Sequence, residues 1–412
     1  MRILQICNKF PYPLKDGAAI AITYLAKAFD ELGHEVTLLS MNTSKHWFDT
    51  AGLPTDFNHY QALHTVYVDN RIRPLPALRN LFSSKSYHIE RFEDADFAKK
   101  LREILQETSF DIVQLESVYL APYISVIRTY SSAAVVLRAH NVEYEIWERV
   151  AANSNLLKRW YLQKITPRLK QYEVDHLNKY DLVVGITERD IQHFRRLGLQ
   201  KPAVVCPIGV DSRDYTPDGR CYDQPLSMSF IGSLDWMPNQ DGLKWFLDEV
   251  WEPFLAPQFP ELTFHIAGRT APLWLRNLNK ERVIFHGEVP SAADFLNEHP
   301  IMVVPLLSGG GMRAKILEGM AVGKVVLSTR IGMEGISAKD RAECLLADTP
   351  DGFVSAIRWC YERGGELRQM GRNARNFCVE NFDNVQVAKK LLQSYAVLAH
   401  IQPETLPEIV KM

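Results

Sequence analysis

Short apolar runs alternate with longer amphipathic stretches from the first residues onward. Arg2 to Cys7 reads as a strand, Phe10 to Gly17 as a Pro/Gly loop, Ala18 to Leu32 as a helix and His34 to Ser40 as a second strand, which together predict a β-α-β unit. Further apolar runs at Ile112 to Leu115, Ala133 to Leu137 and Leu182 to Ile186 are separated by helix-length amphipathic segments such as His88 to Glu107. Strands alternating with helices predict an α/β fold with a parallel sheet covered on both faces. Between Pro202 and Pro225 the pattern breaks into a stretch rich in Pro, Gly and Asp, which suits an interdomain connection. A second series then begins, with strands predicted at Met228 to Ile231, Leu262 to Ala267, Val283 to Phe285, Ile301 to Leu306 and Val325 to Ser328. The pattern predicts two doubly wound halves, residues 1–205 and 206–383, facing a central cleft, because such sheets bind ligands at the carboxyl ends of their strands. A final helical stretch, Val385 to Ala399 within segment 384–412, can pack on either half, the first included.

Composition fits this division. A chain of 412 residues exceeds what one core usually supports, and 46% hydrophobic with 23% charged residues is the mixture of a folded globular protein. A net charge of -2 argues against nucleic acid or another polyanion as partner. Cys7, Cys206, Cys221, Cys344, Cys360 and Cys378 form no Cys-x-x-Cys pair, so neither a metal site nor a disulfide framework is predicted. The opening apolar run is too short for a signal peptide and no window approaches a membrane span. The expectation is a cytoplasmic enzyme, with peripheral contact at the inner face of a membrane left open.

The densest chemistry lies in VVPLLSGGGMRAKILEGMAVGKVVLST, where a buried strand is predicted to end at Leu307 and a helix to begin near Met312. Gly309, Gly310 and Gly311 let backbone N–H groups approach an anion, and the helix N-terminus adds partial positive charge. Arg313 and Lys315 supply formal charge. Lys315 and Glu318 stand three apart on one helical face, which sets a cation where phosphates can lie and a carboxylate where ribose hydroxyls can lie. The plainer reading is a glycine turn followed by an ordinary helix with an ion pair.

This segment resembles the nucleotide-sugar signature of glycosyltransferase family 4, and here its helix reads ILEGMAVGKVVLS. Other landmarks are similar and come in the family's order: Gly17 in the first loop, RAHNVE, DLVVGITERD, CPIGVD, SFIGSLDW, FHIAGR and VIFHGEV. The likeness spans residue 2 to about residue 380. It implies the GT-B fold, two Rossmann-like parallel-sheet domains. The first, 1–205, would take the acceptor, with segment 384–412 packing back on it, and the second, 206–383, would take the nucleotide sugar. It also implies a saccharide or lipid-linked acceptor and a role in bacterial surface polysaccharide or glycolipid assembly.

By the same resemblance Glu318 binds the donor ribose. A second glutamate usual in the family is replaced by Gly310, so the donor sugar would rest on backbone N–H groups of Gly310, Gly311 and Met312. Ser233 and Asn239 stand where relatives carry an arginine and a lysine aimed at the diphosphate, and Arg269, Arg313 or Lys315 would supply that countercharge. His140, at the end of AAVVLRAH, matches a histidine near the reacting carbon and would hydrogen-bond the donor sugar. Gly17 would admit a donor phosphate or acceptor close to the backbone. Glu116 and Asn141 are acceptor-side candidates at strand ends. Retention of anomeric configuration is implied, the leaving phosphate helping to deprotonate the acceptor hydroxyl.

No metal and no cofactor are expected, the nucleotide sugar (UDP-, GDP- or ADP-) being a substrate. The single Asp-x-Asp match, Asp94-Ala95-Asp96, falls in a charged helical segment that reads as a solvated face. Residues 156 to 170 carry five basic residues and no acid; such a helix can lie on anionic lipid, although Pro167 and a poorly sorted apolar face favour a scaffold helix. Two alternatives remain at this level, a nucleotide-sugar epimerase of the same architecture and a catalytically silent binding protein. A nicotinamide-dependent oxidoreductase is disfavoured, since no Gly-x-Gly-x-x-Gly follows the first strand.

Overall fold

The computed structural model describes residues 1–14 and 17–400. Lys15, Asp16 and the part of segment 384–412 beyond residue 400 lie outside the described residues. Two compact units form among the described residues: one comprises residues 1–207 with residues 387–400, the other Ile208–Gln386.

The first unit is built on a seven-stranded sheet, in the order β3-β2-β1-β4-β5-β6-β7, and every pairing is parallel. Its strands are β1 (Arg2–Cys7), β2 (Glu35–Thr43), β3 (Ala62–Val68), β4 (Ile112–Leu115), β5 (Ala134–Ala139), β6 (Leu182–Gly185) and β7 (Ala203–Val205). Nearly every residue of the central strands is buried, as expected of strands whose two faces are both covered by helices. The helix Asn384–Leu398 joins this core through Tyr395, whose hydroxyl donates to Gln114 and whose ring meets Phe29.

The second unit carries six parallel strands in the order β10-β9-β8-β11-β12-β13: β8 (Ser227–Ile231), β9 (Thr263–Ala267), β10 (Val283–Gly287), β11 (Ile301–Val304), β12 (Val325–Ser328) and β13 (Leu345–Leu346). In both sheets the chain reverses its direction of travel across the sheet between neighbouring strands, β1 and β4 in one, β8 and β11 in the other. Crevices for ligands open at the carboxyl ends of such strand pairs.

Several expectations need correction. The single helix predicted from His88 to Glu107 is two, Tyr87–Glu90 and Ala95–Glu107, because the Asp94 carboxylate accepts from the Phe97 N–H and starts a new helix there. The supposed linker contributes β7, and β3 and β13 were not predicted. Strand β11 ends at Val304 and the next helix begins only at Ala314, so the glycine loop is longer than predicted. All six cysteines are buried and unpaired with one another. Among the described residues, no helix is long and apolar enough to cross a membrane.

Candidate active site

In the second unit the site grows from the ends of β8, β9 and β11. Gly309 and Gly311 have φ of 113° and 83°, a region side chains disfavour. A Cβ on Gly309 would also meet Arg313 Nη2 at 2.9 Å and the Trp236 ring at 3.2 Å. The loop is held by Arg313, which donates through Nη1 to the carbonyls of Gly310 (2.6 Å) and Gly311, and lies over Trp236. Met312 and Arg313 are buried. The helix Ala314–Ala321 then starts with no side-chain cap from Arg313, although Ile316 N–H donates to the Arg313 carbonyl at 2.9 Å, and its first N–H groups point along the positive end of the helix dipole.

Lys315 and Glu318 share the partly exposed face of this helix, as their spacing predicts. The ammonium of Lys315 donates to Asn239 Oδ1 at 2.8 Å and sits 4.1 Å from the centre of the Phe230 ring. Asn239 in turn donates to the carbonyl of Ser233 at 2.7 Å, while the Ser233 hydroxyl donates to Asp235 at 2.6 Å. Ser233 and Asn239, where the family resemblance leads one to expect cations, therefore form a bracket that draws the Lys315 cation to the turn after β8. Burial, with the neighbouring charge of Arg313, lowers the Lys315 pKa to about 7 against the pull of Glu318. Burial raises the pKa of Glu318, opposed by Lys315 and by the Tyr215 hydroxyl that donates to it. Arg269 is exposed at the end of β9; its carbonyl accepts from Leu234 N–H at 3.0 Å and its charge faces Asp235.

In the first unit a buried polar cluster occupies the corresponding strand ends. The Glu116 carboxylate, just past β4, accepts from Gln5 at 2.5 Å, from Gln114, from Arg138 at 3.4 Å and from His140 Nε2 at 2.9 Å. Gln5 is fixed by the Tyr60 hydroxyl, and Arg138 also donates to the carbonyl of Ala21. Although burial raises the Glu116 pKa, Arg138, His140 and Gln114 outweigh it and leave the group acidic. Glu116 thus stays ionised, and His140 presents Nε2–H to it. Glu116 is 2% exposed and enclosed by four donors, so it lies behind His140 and not on the open surface where an acceptor-side residue is expected.

His140 and Asn141 line a small recess together with Ser117, Glu143 and Glu173; Asn141 itself is exposed. Glu143 and Glu173 were not singled out from the sequence. The Glu173 carboxylate accepts from the backbone N–H groups of Glu143 (3.0 Å) and Tyr144 (2.8 Å), capping the helix Glu143–Ala152 from the following helix, Leu156–His176. Glu143 accepts from the Tyr119 hydroxyl at 2.9 Å. Burial raises Glu143 to about 7 and Glu173 to about 8. Gly17 opens the helix Gly17–Glu31, and a Cβ there would meet nothing within 4 Å, so packing within the protein does not demand glycine at this position.

Two parallel-sheet α/β domains, with an anion-ready helix start at the switch point of the second, define the chain as a glycosyltransferase of GT-B architecture. It belongs to the family 4 type: the model described as Glycosyltransferase Family 4 matches residues 15–214 and that described as Glycosyl transferases group 1 matches residues 226–363. A curated relative in Klebsiella pneumoniae, an uncharacterized 44.6 kDa protein in the cps region, is 23% identical over 409 residues, covering 95% of this chain and 99% of that one. Sucrose-phosphate synthase from Thermosynechococcus elongatus superposes with a TM-score of 0.68 at 15% identity, over 97% of this chain and 99% of that one. Anabaena HepE, solved with UDP-glucose, gives 0.61 at 14% identity over 96% and 100%. At these identities the solved structures establish the fold alone.

Proposed function

We propose that the chain transfers a sugar from a UDP-, GDP- or ADP-sugar to a hydroxyl of a saccharide or lipid-linked acceptor, with retention of configuration, in surface polysaccharide or glycolipid assembly. The carrying observation is the assembly of Gly309 to Met312, the uncapped helix start, Lys315 and Glu318 around one loop. A diphosphate would accept from the helix N–H groups and the Lys315 ammonium, and the ribose hydroxyls would donate to Glu318. Gly310 in place of a carboxylate leaves the sugar to main-chain donors. Arg269 adds countercharge from the end of β9. His140, held by Glu116, would hydrogen-bond the donor sugar, and Asn141 would meet the acceptor. Gly17 would leave room for the donor or acceptor beside the backbone.

Solved relatives support a nucleotide-sugar donor, since HepE was crystallised with UDP and with UDP-glucose. The cps-region relative supports the polysaccharide assignment. The enzyme works in the cytoplasm, with peripheral contact at the inner membrane face, and requires no metal, because Lys315 and the helix N-terminus supply the positive field. Thermal-shift measurements with a panel of UDP-, GDP- and ADP-sugars test this reading: one donor raises Tm with the logarithm of its excess over Kd, with turnover persisting in EDTA. A Tm unmoved by every donor overturns it. Incubation with donor alone separates transferase from epimerase, which would scramble a sugar stereocentre.

A further inference from the structure

The helix Leu156–His176 buries Leu162, Ile165, Thr166, Leu169 and Glu173 against the first unit, and this inner stripe accounts for its attachment. Its first turns carry a second apolar set pointing outward. Leu156 is 82% exposed, Leu157 79% and Trp160 51%, and beside them the helix Pro74–Asn80 and the turn after it expose Leu75, Leu78 and Phe82, the last at 91%. Between the two helices runs a groove of about 450 Å³ walled by Ala77, Leu78, Leu81, Leu157, Trp160 and Tyr161. Arg168 fixes its width by donating to the carbonyls of Asn80 and Leu81. A contiguous apolar surface of this kind marks a binding face.

Charge identifies what covers it. Residues 71–86 carry four cations and residues 151–170 carry five, with no acid in either segment. Arg71 and Arg73 are answered by Asp69, while Arg79, Lys85, Lys158 and Lys164 are exposed around the apolar residues. A second copy meeting this face symmetrically would set cation against cation. An anionic surface with an apolar interior is complementary on both counts.

We propose that this face docks on an anionic lipid bilayer, the groove taking up an acyl chain. The Glu143–Ala152 helix links the face to the site: it begins three residues after His140, and its ten residues rise about 15 Å to the turn from which Leu156 starts. Docking would hold the His140 turn within reach of a lipid-linked acceptor, and only this use of the surface rests on the transferase reading.

The test is flotation of the full chain with vesicles of phosphatidylcholine alone or mixed with phosphatidylglycerol. Binding to the mixed vesicles is expected to be tighter by about tenfold or more and to weaken with salt. The variant Phe82→Ser/Leu156→Ser/Leu157→Ser and the variant Arg79→Gln/Lys85→Gln/Lys158→Gln/Lys164→Gln should each lose most of that binding. Both should keep the wild-type melting temperature and the wild-type shift with UDP-glucose or whichever nucleotide sugar binds. Wild-type indifference to phosphatidylglycerol, retention of binding in either variant, or a wild-type dimer that the serine variant dissolves would overturn the proposal. Vesicle binding without any nucleotide-sugar shift would leave the docking face standing and fail the donor reading instead.

Discussion

The two switch points answer charge in opposite ways. Past β4, Glu116 is enclosed by Gln5, Gln114, Arg138 and His140, so the protein neutralises its own carboxylate and leaves one partly exposed imidazole in a fixed orientation. Past β11, the Lys315 ammonium rests on an amide oxygen and an aromatic ring, and the helix start beside it carries no side-chain cap. The first is a finished frame around a single group. The second is a cationic surface whose strongest partner would be a ligand anion. Under the proposed function the contrast would serve two tasks: rigidity where a hydroxyl is to be aligned, and a cation without a carboxylate contact where a diphosphate is to be gripped.

The largest effect should come from breaking the frame. Glu116→Ala leaves the Arg138 guanidinium, 1% exposed, buried without its carboxylate, which costs about 3–5 kcal/mol and should appear as a lower urea midpoint. His140→Ala removes a partly exposed ring and should cost much less stability while lowering turnover by about 10²-fold or more. Equal losses of stability, or near-normal turnover in folded His140→Ala, would erase the distinction between frame and framed group.

Glu318→Gln probes the open side. A hydrogen bond to a charged group is worth about 1.5–3 kcal/mol, so UDP affinity measured by calorimetry should fall by roughly 10- to 150-fold. Because burial already raises the pKa of this carboxyl, the neutral amide should leave the melting temperature unchanged or raise it. Unaltered UDP affinity would remove Glu318 from the ribose.

How far these features were legible depends on the sequence range of the contacts. Strands β1, β4 and β12 follow directly from their apolar runs. Strand β3 was missed because all but one of its residues are at least partly exposed and polar positions interrupt it; β7 and β13 are only three and two residues long. Lys315 and Glu318 could be placed on one face because helical spacing is local. Asn239 and Lys315 lie 76 residues apart, and their bond exists only because β8 and β11 are neighbours, so composition pointed to a missing lysine where the fold supplies one from another element. The burial of Glu116 was hidden for the same reason: a carboxylate at a strand end looks available until the sheet order brings Gln5 and Arg138 onto it.

The smallest effect tests how Lys315 waits for its anion. Its pKa of about 7 in the free protein reflects burial and the charge of Arg313, and a bound diphosphate should raise it toward the ordinary 10.5. Below pH 7 the ammonium is present with and without ligand and contributes no pH dependence. Above pH 7 only the complex keeps the proton, so UDP affinity should fall by up to about tenfold per pH unit. Phosphate itself titrates near 6, which leaves pH 7 to 9 as a clear window. Calorimetry in buffers of different ionisation enthalpy should detect uptake of a proton on binding, and Lys315→Met should bind more weakly at pH 7 with no fall above it. Without ligand the sign is opposite: the unfolded chain holds this proton up to about 10.5 and the native chain releases it at about 7, so this group's contribution to stability improves as pH rises between them. A wild-type affinity that stays flat from pH 7 to 9 would mean that the Lys315 ammonium does not contact the diphosphate, and the second switch point would then be no more open than the first.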